Sequence, residues 1–340
     1  MDGELRSRAR ESVNMKTSLI VVNYNGAMHI ERCLRSILTQ TEDDFGIVVI
    51  DNASTDGSLA TVERFVAENG CIRLIVNPDN VGFAKAVNQG IRESDSELIA
   101  LVNNDAFLDE GWLAAMLRAV EAHHDAAVFA SKILFTDGTI NSTGHVIHHG
   151  FAVMDRGFLE EDHGQYDLEE HMASACAAAA LYRRSLFDEV GPFDEDYFMY
   201  NEDVDICLRA HLADRKVLYV PTAVAHHAHT SASRGRPSDL SLYHNHRNIV
   251  WTYVKDVPSP QIVWELPGFV ARNLAAVLFH SIIRMRPGPV LRAKWDALRG
   301  LGAALEKRRR VQSEAKGDLR NCISGLGLGR TLRLARGTAQ

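Results

Sequence analysis

Cysteine is scarce: five of 340 residues, odd in number, with no CxxC pair among Cys33, Cys71, Cys176, Cys207 and Cys322. That argues against a disulfide framework and fits a reducing cytoplasm. No run of 18 apolar residues occurs, so no standard membrane-spanning helix is expected. Residues 1–16 are charged and lack an apolar h-region, which excludes a signal peptide and reads as a disordered leader. GxGxxG and GxxxxGK[ST] are missing, so neither a dinucleotide nor a P-loop phosphate cradle is indicated. GxSxG is missing too, and with it the nucleophile elbow. The net charge is -7, unevenly spread. From Arg284 onward 14 Lys and Arg face 4 Asp and Glu, an excess of ten that leaves the body at -17. An acidic body does not suit nucleic acid. A basic tail could face an anionic membrane or be a solvated end.

At 46% hydrophobic, 340 residues suffice for one large core plus an appendage. Ser18–Asn23, Phe45–Ile50, Ile72–Val76 and Leu98–Val102 read as strands. Between them, His29–Thr39, Leu59–Asn69 and Gly82–Arg92 read as helices. This alternation with short loops predicts an α/β fold with a doubly wound, mostly parallel sheet. Polar residues recur past the strand ends (Asn23, Asp51, Asn77, Asp105), and ligands of such sheets bind at the carboxyl ends of strands. Asp105 there suits a hard divalent cation. An Asx turn or helix cap before a helix from Asp109 to His123 is the equal alternative.

Ala126–Ala130 reads as a short strand, and 135–171 as short strands with a loop. The histidines of that segment (145, 148, 149, 163, 171) lack ligand spacing and read as surface or packing residues. Ala173–Ala180 reads as a tightly packed core strand, and Ser185–Val190 as a short helix. Seven of the thirteen residues from Phe193 to Asp205 are acidic or Asn, among aromatics. Asn201 could cap a helix to Ala213 whose first turn holds Glu202 and Asp203. The helix dipole accounts for one such acid, less well for a block of them. Lys216–Val220 reads as a strand ended by Pro221, then comes a loop with Arg234 and Arg236, then a helix over Leu240–Val254. Beyond it, Ile262–Met285 reads as an apolar helix broken near its start by Pro267-Gly268 and interrupted by Glu265, Arg272, Asn273, His280 and Arg284. Arg292–Arg310 reads as one basic helix. The expected division is a leader 1–16, a catalytic domain 17–257 and a helical, basic extension 258–340. Segment 262–310 is expected to touch a membrane surface peripherally, or to pack on the domain or on a second subunit as a homodimer.

Five motifs occur in order: Val21–Asn25, Asp51-Asn-Ala-Ser-Thr-Asp-Gly57, Asn80–Asn88, Asn103-Asn-Asp105 and Glu202-Asp203, followed by His229. Over roughly Thr17–Val254 the chain resembles the family 2 inverting glycosyltransferases, in their bacterial rhamnosyltransferase-like branch. The resemblance implies a GT-A fold, a nucleotide-sugar donor and a divalent cation, Mg²⁺ or Mn²⁺. It implies that Asp51 reads the pyrimidine edge. Asn23, Asn25, Asn52, Gly82, Lys85, Asn103 and Asn104 would line the donor site. Asp105 ends a DxD-like motif and would bind the metal, with Asn103 in the place of the first acid and His229 completing the site. Asp203 would be the catalytic base, with Glu202 beside it, and Arg247 and the loop arginines would meet phosphate. Donor candidates are dTDP-rhamnose and UDP-sugars, and the acceptor a glycan or polyprenyl-linked hydroxyl at the inner face of the membrane.

One rival, a nucleotidyltransferase, would need a Gly- and Arg-rich loop after the first strand, which Asn23-Tyr-Asn-Gly26 is not. The other, a non-catalytic nucleotide-sugar-binding partner in polysaccharide assembly, would have no need of an acid at position 203.

Overall fold

The computed structural model describes residues 15–228 and 238–324. The expected leader up to residue 14, His229, Arg234 and Arg236 lie outside them. Strands β1 (Thr17–Asn23), β2 (Phe45–Asp51), β3 (Ile72–Val76) and β4 (Leu98–Asn103) alternate with helices α1 (Ile30–Leu38), α2 (Ser58–Glu68) and α3 (Phe83–Arg92). Then follow β5 (Ala106–Leu108), α4 (Trp112–Ala122), β6 (Ala126–Phe135), β7 (Ile140–Ser142), β8 (His145–His148), β9 (Ala152–Asp155), β10 (Glu170–His171), β11 (Ala179–Arg183), α5 (Arg184–Val190), α6 (Glu202–Leu212) and β12 (Lys216–His227). The chain continues with α7 (Asp239–Asp256), α8 (Gln261–Leu278), a π turn (Phe279–Ile283), α9 (Pro287–Arg299), α10 (Leu301–Ser313) and β13 (Ile323–Ser324).

The main sheet runs β10-β12-β6-β11-β4-β1-β2-β3. β3, β2, β1 and β4 are mutually parallel, and β11 lies antiparallel between β4 and β6. Strand order reverses between β1 and β4, the place where ligands of such sheets bind. Because side chains alternate along a strand, Leu19 and Val21 enter one core with α1, α2 and α4, while Ile20 enters the other with α3, α5 and α6. Burial on both faces explains why β1 and β4 are continuous apolar runs. A third core joins the outer side of α6 to the β8–β9 hairpin, α7 and Phe269 of α8. α6 is therefore buried on nearly every side, and the C-terminal helices form a third layer over it.

Several sequence expectations are corrected. The helix expected from Asp109 begins at Trp112, after the short β5 pairs with β12. β6 runs on to Phe135 because β12 extends beside it to His227. Pro221 does not end β12: it sits where the register slips between Val220 and Val224, and a bulge tolerates the missing donor. Only Ala179–Ala180 of the expected core strand 173–180 belongs to β11. Pro267 does not break α8. The N–H it lacks would have served Val263, an exposed residue, and Gly268 lies against Gly150, where a Cβ would come within 3.0 Å of the Gly150 Cα. The basic helix is two helices, α9 and α10, meeting at Gly300, where a Cβ would lie 2.5 Å from the Trp251 ring.

Candidate active site

The ends of β1 and β2 are tied by side chains. Asn23 and Asp51 are register partners and fully buried. Asn23 Nδ2 donates to Asp51 Oδ2 at 2.7 Å and to the hydroxyls of Ser54 (3.1 Å) and Ser58 (2.9 Å). Asp51 Oδ1 accepts from the Ser54 backbone at 2.9 Å. Asn104 Nδ2 donates to Asn23 Oδ1 at 3.0 Å, a bond passing so close over Gly26 that a Cβ there would clash with both amides. Asn25 accepts from the Thr55 backbone at 2.8 Å, clasping the loops after β1 and β2 together. Asn52 donates to the Gly82 carbonyl (3.2 Å) and accepts from Asn77 (2.8 Å). Gly82 has φ +86° and touches Phe198, so only a residue without Cβ fits. Lys85 is exposed on the first turn of α3.

Asp105 follows the half-buried Asn103 at the end of β4. Its carboxylate lies 3.1 Å from His227 Nε2, and its carbonyl accepts from the Ala228 backbone at 2.8 Å. Strand alternation sends His226 the other way, to Asp109 at 3.0 Å. His227 is thus the histidine that the described residues place beside Asp105. A carboxylate and an imidazole at a strand end open to phosphate oxygens form a donor set that a divalent cation fits.

Glu202 and Asp203 stand at the start of α6, after a turn in which Phe198, Tyr200 and Asn201 all have positive φ (64°, 68° and 66°). Asn248 of α7 pins that turn, donating to the carbonyls of Tyr197, Met199 and Tyr200 at 2.8–2.9 Å. Asn201 occupies the cap position in a left-handed conformation without a side-chain cap bond, contrary to the expected capping role. Arg247, expected to meet phosphate, donates instead to the carbonyls of Asp196 (2.8 Å) and Tyr197 (3.1 Å) and lies over the Trp251 ring. Two small residues connect this acid pair to the crevice. Ala178 accepts from the Asn103 backbone at 2.9 Å, and Ala177 N–H donates to Asp203 Oδ2 at 3.2 Å. The alanine-rich stretch therefore serves close backbone approach at Ala177 and Ala178 as well as core packing, with Ala179 and Ala180 in β11. Tyr200 lies between the two halves: burial, then the charge of Glu202 and, more weakly, of Asp105 push its phenol up.

Sequence reasoning missed what surrounds Asp203. His145 is buried, its Nδ1 3.1 Å from Ser174 Oγ and its Nε2 3.2 Å from Asp155. With Cys176 and Asp203 it places one donor atom each within 4.8 Å of one another. Burial alone would push the imidazole down, but Asp155, Cys176 and Asp203 hold it well above its ordinary range. In its protonated form the imidazole is a counter-charge to Asp203; in its neutral form the same three donor atoms could meet a metal ion. No local spacing announces this cluster, because a hairpin, a loop and a helix distant in sequence assemble it.

Glu202 is buried and its Oε2 reaches no partner. Burial first, then the charge of Asp203, push its carboxyl up to about 8. Between the ordinary carboxyl range and about pH 8, the unfolded chain releases this proton while the folded chain keeps it, so stability falls as pH rises through that window. Glu202→Gln is expected to remove that slope and raise the melting temperature more at about pH 8 than at about pH 5, by the equivalent of a few kcal/mol (~2–4). Equal shifts at both pH values would show that Glu202 is not held neutral.

The reversal of strand order, acids at three element ends and a mixed, mostly parallel sheet match the GT-A fold. The chain belongs to glycosyl transferase family 2, whose profile matches residues 18–191, and it is a glycosyltransferase, not a passive binding partner. It is 28% identical over 292 residues to the N-acetylglucosaminyl-diphospho-decaprenol L-rhamnosyltransferase of Mycobacterium tuberculosis, covering 78% of this chain and 92% of that one. It resembles in fold S. aureus TarS 1–349 in complex with UDP-GlcNAc (TM-score 0.57, 18% identity, 88% of this chain and 91% of that one). Another neighbour is the mannosyltransferase PcManGT from Pyrobaculum calidifontis in complex with GDP-Man and Mn²⁺ (TM-score 0.53, 17% identity, 95% and 79%).

Proposed function

We propose that this glycosyltransferase is inverting and moves rhamnose from dTDP-rhamnose to a hydroxyl of a lipid-linked, N-acetylglucosamine-bearing acceptor at the membrane face, in cell-surface polysaccharide synthesis. The observation that supports this reading is the two-alanine bridge, which ties Asp203 to the end of β4, the strand that leads into Asp105. The mycobacterial rhamnosyltransferase supports the sugar and the acceptor class.

In this reading Asp51, fixed by Asn23 and Ser54, reads the base, and Asn25, Asn52, Asn104 and Lys85 frame the donor. Asp203 accepts the acceptor's hydroxyl proton while the oxygen attacks the anomeric carbon from the face opposite the diphosphate. The bond from that carbon to the phosphate oxygen breaks, and nucleoside diphosphate leaves with the electron pair. Glu202, whose carboxyl is held up by burial, adds little negative charge beside Asp203, and His145, drawn to Asp155 and Asp203, offers a counter-charge. Asp105 and His227, with Asn103 at the rim, would hold a divalent cation, which when bound offsets charge on the leaving diphosphate.

The test is a donor screen with a polyprenyl-diphosphate N-acetylglucosamine acceptor, with and without Mn²⁺ or Mg²⁺. dTDP release and a rhamnosylated lipid are expected with dTDP-rhamnose. Turnover only with another sugar nucleotide would replace the donor. Asp51→Ala is expected to weaken dTDP binding by roughly 10–100-fold, the scale of a lost charged hydrogen bond. Calorimetry on folded variant that shows unchanged affinity would remove Asp51 from the base site.

A further inference from the structure

α8 is polar on the inside and apolar on the outside, the reverse of an ordinary surface helix. The residues that interrupt its apolar sequence point into the protein. Glu265 is buried, accepts from the Gly150 backbone at 2.7 Å and pairs with His149 at 2.8 Å. Arg272 donates to the carbonyls of Gly150 (3.0 Å) and Phe151 (2.6 Å). Asn273 accepts from Lys294 at 2.5 Å, and Phe269 stacks on Tyr253 at 3.9 Å. The opposite face presents Trp264 (79% exposed), Leu274, Leu278 and Ile282, and α9 continues it with Trp295 (63% exposed). Exposed arginines 284, 292 and 299 border this strip. Soluble monomers seldom expose so continuous an apolar surface.

We propose that the outer face of α8, the π turn and the exposed side of α9 form a docking surface for an anionic lipid bilayer, lying in the plane of its interface. The inference rests on the lipid-linked acceptor reading and names the surface that would bring the crevice to it. Three observations select lipid over other occupants. The strip is bordered by the exposed Arg284, Arg292 and Arg299 on a chain whose residues before 284 carry -17, so an anionic surface attracts this border and repels the acidic body. Tryptophans at both ends of the strip suit the head-group level. A two-fold contact with a second copy would bring two arginine borders together. Gln261–Ile283 is long and apolar enough to cross a bilayer, but its inner face is hydrogen-bonded to the β8–β9 hairpin, so it lies on the domain, half immersed.

Co-sedimentation of the full chain with phosphatidylcholine vesicles, with and without phosphatidylglycerol, tests this. Binding is expected with phosphatidylglycerol, partly released by high salt. Leu274→Asp with Ile282→Asp, at exposed positions, should reduce binding at least about tenfold with an unchanged melting temperature. Arg292→Glu with Arg299→Glu should abolish the preference for anionic lipid. The same variants should keep wild-type turnover on a short-chain, detergent-dispersed acceptor. No binding by the wild type, or equal binding by the Asp variant, overturns the proposal. So does a solution dimer by light scattering that the Asp variant dissociates. Vesicle binding without turnover on any lipid-linked acceptor upholds the surface and refutes the acceptor reading.

Discussion

Asp203→Asn is expected to lower turnover by roughly 10²–10⁴-fold, the usual contribution of a general base, while nucleotide binding survives. The substitution is nearly isosteric. An amide oxygen can still accept from Ala177 N–H, now 3.2 Å from Oδ2, at the cost of the Val204 N–H bond that Oδ1 accepts at 2.8 Å. What is lost is the acceptor for the hydroxyl proton. Glu202 is a poor substitute: it is buried, and burial, the largest cause that holds its carboxyl up at about 8, persists when the charge of Asp203 is removed. Single-turnover kinetics beside calorimetry of nucleotide binding reads the two properties apart. Retained turnover would remove the role of base. Joint loss of turnover and binding would make Asp203 structural or metal-binding instead.

Asp105→Asn should abolish the gain in turnover and in nucleotide affinity that Mn²⁺ or Mg²⁺ brings, a loss of about 10²–10³-fold. Asp105 is the carboxylate that the β4 end contributes, and His227 stands 3.1 Å from it. With Asn103 where a second acid could stand, the site has little other anionic charge to hold a cation. The measurement is metal-dependent turnover together with nucleotide affinity with and without chelator. A folded variant with near wild-type activity in excess chelator would show that the reaction does not use this residue.

The first half of the fold was legible because its signals are local. β1 to β4 are apolar runs buried on both faces, and α1 and α3 carry clean helical spacing between short loops. Past Phe135 the signals are long-range. β6 and β12 lengthen because they pair with each other, Pro221 is absorbed by a bulge, and Pro267 sits on the exposed face of a helix whose Glu265 and Arg272 bind the hairpin. Strand-end acids were legible because a strand's end is visible in sequence. The setting of Asp203 was not, since His145, Asp155, Cys176 and Asn248 meet it or its turn only through tertiary contacts. Likewise Glu265 and Arg272 read as interruptions of an apolar helix until their inward direction was known.

The turn before the acid pair has a further consequence. Phe198, Tyr200 and Asn201 each occupy a left-handed backbone conformation that costs an L-residue on the order of 1–3 kcal/mol, and the three amide bonds from Asn248 offset it. Folding itself thus arrests the segment that carries Glu202 and Asp203. In the proposed role of base, the carboxylate is ordered before any sugar arrives, so the encounter with substrate need not supply the entropy of ordering it. Selection for a more stable chain would favour glycine at these three positions, and the enzyme would gain robustness by giving up the readiness of its acid pair.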